Sequence, residues 1–137
     1  MTSVQRSKQG DLAAIDSTLR CWAQAVGRSD VAAATALITE DGEFWSHGVA
    51  AMVGRAAVAE VFHNFFSRYA LEQEFQVQEQ IVSGDWAFVR GLEVNHLKPR
   101  AGGEEVLHRQ RAFSVLRRDA DGSWRFARGM TNGLPAA

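Results

Sequence analysis

Apolar residues near the start of the chain recur at spacings of three and four, which places them on one face of a helix. The members of this stripe are Leu12, Ile15, Leu19, Trp22 and Val26. Asp11 is a candidate N-cap and Gly27 is suited to end the helix, so the pattern predicts a first helix over residues 11–27. The polar residues 1–10 are predicted to form a flexible lead.

Two further helices are predicted before the first long strand. Ser29 or Asp30 can cap a short second helix, and the turn sequence at residues 40–42 is expected to end it. A short strand is predicted at residues 43–47, followed by a turn and a second short strand. The third helix opens at Gly54-Arg55 and presents a wide apolar face. That face consists of Val58, Val61, Phe62, Phe65, Phe66 and Tyr69.

From Leu71 onward, apolar and polar residues alternate, which is typical of strands with one polar face. Four long strand-like runs follow, separated by turn or loop sequences at residues 83–85, 99–103 and 119–122. In the last turn, Asp and Gly supply the backbone freedom that a tight reversal needs. Helices followed by antiparallel strands predict an α+β fold with the helices on one face of a curved sheet. We expect a single domain over residues 11–137.

Composition narrows the range of partners. The net charge of −1 at pH 7 gives no global field for nucleic acid or a membrane, so neither is expected as a partner. The charge is uneven, because residues 1–85 carry 6 Lys/Arg against 11 Asp/Glu and residues 86–137 carry 9 against 5. Of the 15 basic residues only Lys8 and Lys98 are lysines. Arginine favours planar, bidentate contacts.

Other sequence features bear on location and cofactors. The single cysteine, Cys21, excludes an intramolecular disulfide and favours a reducing compartment, so a cytoplasmic location is expected. The opening residues contain no apolar run of the kind found in signal peptides. No nucleotide-binding glycine motif is present, and no two histidines have a metal-ligand spacing. We therefore predict no cofactor and no metal site.

The order of several short motifs resembles the ketosteroid-isomerase-like superfamily, also called nuclear transport factor 2-like, and is most similar to small SnoaL-like bacterial proteins. The motifs are WA at 22–23, Asp30, ALITEDGEF at 36–44, GRAAV at 54–58 and the segment 117–125 with its DGSWR sequence. The resemblance implies three N-terminal helices packed on the concave face of a cone-shaped, curved antiparallel sheet. It also implies an apolar pocket between helices and sheet, and commonly a homodimer through the convex face.

The residues that perform the steroid isomerase reaction are not matched. The catalytic base of those enzymes falls on Ser46 or Trp45, and the oxyanion tyrosine falls on Trp22. The oxyanion acid falls on Arg111 or Phe113, and a supporting tyrosine falls on Phe62. None of these side chains can replace its counterpart, so the resemblance carries no reaction across. Three side chains remain as candidate catalytic groups: His47, His96 and Arg111.

Alternation along the third long strand puts its larger apolar residues at odd positions, and the resemblance implies that these face the pocket together with Arg109 and Arg111. On the preceding strand the same assignment turns Arg90 inward. A buried guanidinium needs an anion, supplied either by a ligand or by a carboxylate of the protein such as Glu93. The orientation of the last strand is left open. The predicted pocket residues are Trp22, Trp45, Ser46, Phe62, Phe66, Arg90, Arg109, Arg111, Phe113 and Thr131.

Two kinds of function fit these features. One is an enzyme that transfers protons on a small hydrophobic molecule, aromatic or anionic, in an isomerase, cyclase or dehydratase type of reaction. The other is a ligand-binding or dimerisation module without chemistry. A homodimer is expected in both cases. The interface is predicted on the opposite sheet face, which this orientation assigns to Glu93, Asn95, Gln110 and Ser114.

Overall fold

A computed structural model of the protein describes residues 3–135, with side chains from residue 8 onward. Three helices precede most of a six-stranded sheet, which confirms the predicted α+β class. The elements are α1 (Ser3–Gly27), α2 (Val31–Thr35), β1 (Ile38–Trp45), β2 (Met52–Val53), α3 (Arg55–Arg68), β3 (Tyr69–Ser83), β4 (Trp86–Pro99), β5 (Val106–Arg118) and β6 (Trp124–Gly133).

The sheet is curved and does not close into a barrel. Its strand order is β2-β1-β6-β5-β4-β3. Strands β3 to β6 form the predicted antiparallel meander, whereas β1 pairs with β6 in parallel. The sheet is therefore mixed rather than purely antiparallel. Helices α1 and α3 pack on one side of it, here called the inner face, and the opposite side is called the outer face. No helix among residues 3–135 is long and apolar enough to span a membrane.

The first helix is longer than predicted. It begins at Ser3 rather than at Asp11, and residues 1 and 2 of the predicted lead lie outside the described part of the chain. Asp11 is not a cap, because it lies within the helix. Its carboxylate accepts hydrogen bonds from Arg118 at 2.7 Å and from the indole of Trp124 at 3.3 Å. The predicted apolar stripe does face the core, where Ile15 is fully buried.

The turn predicted at residues 40–42 is instead part of β1. This strand starts at Ile38, next to Phe126 of β6, and a register shift follows between Ile38 and Glu43. Ile38 and Thr39 are buried, so the chain enters the sheet here rather than remaining in α2. The predicted cap of α2 is present, since the carboxylate of Asp30 accepts a hydrogen bond from the amide of Ala33 at 3.0 Å.

Arginines of the last two strands pair with carboxylates elsewhere in the fold. Arg117 makes a two-pronged contact to Asp41 at 2.9 and 3.0 Å, and this lowers the pKa of Asp41 to about 2. At the start of β6, Arg125 pairs with Asp119 and Asp121 of the preceding turn at 3.0 and 2.7 Å. The Arg117–Asp41 pair joins the basic second half of the chain to the acidic first half. Because the groups are largely at the surface, each pair contributes modestly to stability.

Candidate functional site

A cavity of about 370 Å³ lies between α1, α3 and the inner face of the sheet. Most of its wall is apolar, because the two helices turn their aromatic and aliphatic faces toward the sheet. The apolar lining includes Leu19, Trp22, Phe44, Met52, Val58, Phe62, Phe65, Leu71, Phe75 and Phe126. A cavity of this size and character suits a compact small molecule.

One side of the cavity is polar, and it is built from three adjacent strands. Gln73 of β3 lies opposite Asn95 of β4, which in turn lies opposite His108 of β5. Glu93 lies opposite Gln110 on the same pair of strands. Because side chains two residues apart share a face of a strand, all five groups point to the inner face. All five line the cavity.

These polar groups are joined by directed hydrogen bonds. The indole Nε1 of Trp22 donates to Oε1 of Gln73 at 2.9 Å, and Nε2 of Gln73 donates to Oδ1 of Asn95 at 2.8 Å. Nε2 of Gln110 donates to the carboxylate of Glu93. The amide of Asn95, two residues along β4, also favours the ionised form of Glu93. Two amide side chains therefore act on this carboxylate.

Glu93 has a perturbed pKa. Burial raises it above the usual value for glutamate, while the hydrogen bonds from Gln110 and Asn95 and the nearby His108 act in the opposite direction. The net rise means that the loss of hydration outweighs the hydrogen bonds that favour the ionised form. A carboxyl group with this property at the wall of a cavity can exchange protons with a bound molecule nearer to neutral pH than an ordinary glutamate.

Several of the predicted pocket residues line this cavity. They are Trp22, Trp45, Ser46, Phe62 and Thr131. The orientation of the last strand is also defined: Gly129 and Thr131 lie opposite Ser114 and Ala112 of β5 and face inward. The ring of Phe44 occupies the space where a side chain at residue 129 would be, since a Cβ there would lie 2.8 Å from its Cδ1. The hydroxyl of Thr131 has no hydrogen-bond partner among the described residues.

The predicted orientation of β4 and β5 is wrong. The odd positions of β5 carry Arg109, Arg111 and Phe113, all exposed, on the outer face. Arg90 is also exposed there and pairs with Glu79 at 2.8 Å. Neither of the predicted roles for buried arginines applies, because these guanidinium groups remain in solvent.

The prediction followed the match to the family's pattern, together with the larger apolar residues at the odd positions of β5. Large apolar residues such as Phe113 and Leu107 lie on the outer face, 40% and 54% exposed. The inner face is apolar and closely packed only at one end, where Val89 and Leu116 are fully buried beneath α1. Beyond that end it borders the cavity, where β4 and β5 contribute the polar side chains Glu93, Asn95, His108, Gln110 and Ser114.

The other candidate groups lie away from the cavity. His47 is exposed in the segment between β1 and β2, and His96 is exposed on the outer face. Phe66 is buried in a second apolar cluster with Val26 and Leu71, and the neighbouring Phe65 takes the place in the cavity wall that was predicted for it. Within the described residues no three His, Cys, Asp or Glu side chains are close enough to hold a metal ion.

Sequence reasoning missed the polar side of the cavity. Glu93, Asn95, Gln110 and Ser114 were assigned to a dimer interface, whereas all four line the cavity. One signal was available: β4 carries a carboxylate and an amide two residues apart, and β3 and β5 each carry a glutamine within an alternating run. Such groups fall on one face of a sheet, but the side on which the helices pack depends on tertiary structure.

Comparison with known proteins supports the fold. A family model of the SnoaL-like domain matches residues 19–127. No curated protein matches the chain. Among solved structures, a ketosteroid isomerase-like protein from Erwinia carotovora atroseptica is 30% identical, with a TM-score of 0.81 over 92% of this chain and 98% of that one.

More distant structures share the same fold. A protein from Novosphingobium aromaticivorans described as a putative scytalone dehydratase is 16% identical, with a TM-score of 0.84 over 96% of this chain and 89% of that one. A putative dehydratase of the NTF2-like family from Streptomyces avermitilis is 18% identical, with a TM-score of 0.80 over 93% and 99%. The chain therefore belongs to the SnoaL-like domain family and has the nuclear transport factor 2-like fold.

Proposed function

We propose that this protein is an enzyme that binds a compact, largely apolar molecule in the cavity and moves a proton on it by means of Glu93. The observation that carries the proposal is a single carboxyl group with a raised pKa on the wall of an otherwise mostly apolar cavity. Distant structures of the same fold are described as dehydratases, which is compatible with proton transfer but identifies no substrate.

The proposed chemistry is proton abstraction next to a carbonyl group. The Glu93 carboxylate takes a proton from the carbon α to the carbonyl, and the electron pair of that C–H bond moves toward the carbonyl oxygen to give an enolate. In a β,γ-unsaturated carbonyl compound, protonated Glu93 returns the proton to the γ-carbon, which completes an isomerisation. In a β-hydroxy carbonyl compound, protonated Glu93 gives the proton to the β-hydroxyl group, which leaves as water as the enolate forms a carbon–carbon double bond, and this completes a dehydration. Neutral hydroxyl donors for the enolate oxygen are available on the cavity lining at Ser46, Ser114 and Thr131.

Proton exchange on a simple ketone tests this proposal without knowledge of the natural substrate. In D₂O, the protein is expected to accelerate deuterium incorporation at the α-carbon of 2-tetralone, a neutral bicyclic ketone, as followed by proton NMR. Heat-denatured protein is the control for buffer catalysis. Saturable binding of the ketone with no acceleration would instead favour a ligand-binding module without chemistry.

We also propose that the protein forms a homodimer through the outer face of the sheet. Apolar side chains of that face, among them Phe113 and Met130, are 40% and 50% exposed. Strand β3 contributes Glu72 and Glu74 on one flank, and β5 contributes Arg109 and Arg111 on the other. A two-fold axis running along β4 brings the acidic flank of one copy over the basic flank of its partner.

Charge exchange tests this interface. Two variants are each expected to sediment as monomers: one with Glu72→Arg and Glu74→Arg, and one with Arg109→Glu and Arg111→Glu. In each variant both flanks carry the same charge, so like charges face each other at both of the two symmetry-related contacts. Mixing the two variants is expected to restore dimers, since every contact is again between opposite charges. Val53→Asp, at an exposed site on β2, is the control. A wild type that remains monomeric well above about 1 μM, a typical dissociation constant for a weak dimer, contradicts the proposal.

A further inference from the structure

Few ionisable side chains line the cavity. Glu93 and His108 are the only ionisable side chains among the lining residues described, and neither lysine nor arginine is present. The arginines that were predicted to hold an anion lie on the outer face. An anionic ligand would therefore meet a carboxylate without a fixed positive charge to balance it, and like charges in a partly buried site repel strongly.

The amide groups do not compensate, because their direction is fixed. An indole N–H can only donate a hydrogen bond, so Trp22 requires the oxygen of Gln73 to face it. The amide nitrogen of Gln73 then donates to the oxygen of Asn95. Asn95 in turn favours the ionised form of Glu93 and lowers its pKa. Gln110 donates to the same carboxylate. The N–H groups of Trp22, Gln73 and Gln110 that donate these bonds are thus engaged within the protein rather than by a ligand.

The proposed reaction adds a second reason. While the proton is on the substrate, the negative charge is on Glu93, and when the proton reaches Glu93, the charge is on the enolate. The cavity thus holds one negative charge throughout the reaction. A substrate that carried its own carboxylate would bring a second negative charge into a site whose described lining contains neither lysine nor arginine.

We infer that the cavity selects an uncharged molecule bearing a carbonyl or hydroxyl oxygen, and rejects an anion of the same shape, because of Glu93 and the amide chain that begins at Trp22. This inference rests on the proposed function in placing the ligand in the cavity. It replaces the sequence-based expectation of an anionic ligand, whose physical basis was a set of inward-facing arginines.

A matched pair of ligands tests the selectivity. 2-Acetylnaphthalene and 2-naphthoate share the ring system and the carbonyl position, and differ mainly in charge. Binding to the protein is measured by titration calorimetry at pH 8. The neutral ketone is expected to bind about tenfold more tightly or better. In Glu93→Gln the naphthoate is expected to gain affinity, so that the ratio of the two dissociation constants falls toward one.

Three outcomes overturn the inference: equal or tighter binding of naphthoate by the wild type, an unchanged ratio in Glu93→Gln, or no binding of either compound at millimolar concentration. The wild-type ratio needs no variant, so it remains decisive if Glu93→Gln folds poorly. Failure of the proposed function is separable, because it appears as a lack of deuterium exchange on 2-tetralone whatever the binding ratio is.

Discussion

Replacing Glu93 with glutamine is expected to lower catalysed proton exchange by about 10²–10⁴-fold, the usual contribution of a general base. Glutamine has nearly the same shape but cannot accept a proton at neutral pH. The binding of 2-tetralone should change much less than the rate, because the apolar wall made by residues such as Phe62 and Phe126 is untouched. Exchange rates from NMR, measured at saturating ketone, separate the two effects.

A matched control is Glu79→Gln. Glu79 is an exposed glutamate that pairs with Arg90 at 2.8 Å on the outer face, so its replacement should leave the exchange rate within about twofold, as expected for a group remote from the chemistry. If Glu93→Gln retains more than a tenth of the wild-type rate while Glu79→Gln behaves normally, Glu93 is not the base.

The pH dependence should follow from the raised pKa of Glu93. Only the ionised form accepts a proton, so the exchange rate should rise with pH through a value above the usual range for glutamate.

The free energy of unfolding should respond to pH in the opposite direction. Burial favours the neutral form of Glu93 in the folded state. The contribution of Glu93 to the stability of the fold is therefore greatest below the pKa of an ordinary glutamate, and it is lost as the pH rises through the raised pKa of the folded state. Thermal melts of wild type and Glu93→Gln across this range check the sign.

The helices and the last hairpin could be predicted because local physics decides them. The stripe that contains Ile15 has helical spacing, and Asp30 is followed by a helix that its carboxylate can cap. At the β5–β6 turn, Gly122 adopts φ of 84°, which is a conformation that glycine tolerates. Each of these features is encoded within a few residues, so the sequence alone was sufficient.

The inner face of β4 and β5 could not be predicted in the same way. Alternation correctly separates Glu93 and Asn95 from Arg90 and His96, but it does not say which set meets the helices. In a fully packed core the apolar set would be inside. Here a cavity borders part of the inner face, and exposed apolar residues such as Phe113 lie on the outer face. The rule that the more apolar face of a strand is the buried one therefore gives the wrong orientation.

The irregularity in β3 also escaped sequence analysis, and it shapes the cavity. A register shift lies between Val77 and Glu79, opposite Gly91 of β4. Before the shift, Gln73 and Phe75 face the cavity, and after it Gln80 reaches Asp16 of α1 at 3.2 Å. A bulge bends its strand and increases the local twist, so this feature contributes to the curvature that makes room for a ligand.

Gly91→Ala is therefore expected to destabilise the protein by about 3 kcal/mol, at the upper end of the range for overpacking. A Cβ at residue 91 would overlap the carbonyl oxygen of Gln76 and lie 2.9 Å from its carbonyl carbon. Both are backbone atoms, so no side-chain rotation can relieve the clash, and β3 must move away from β4. The expected fall in melting temperature is on the order of 10 °C for a domain of this size.

The matched control is Gly133→Ala, at the end of β6. A Cβ there would meet nothing within 4 Å, and the backbone is not in the left-handed region, so the melting temperature should be unchanged or slightly higher. Because Gly91 is two residues from Glu93, the exchange rate of folded Gly91→Ala should also fall, as the carboxylate shifts with its strand. Equal melting temperatures for Gly91→Ala and wild type would show that the close approach of β3 to β4 at the bulge is not a constraint on this fold.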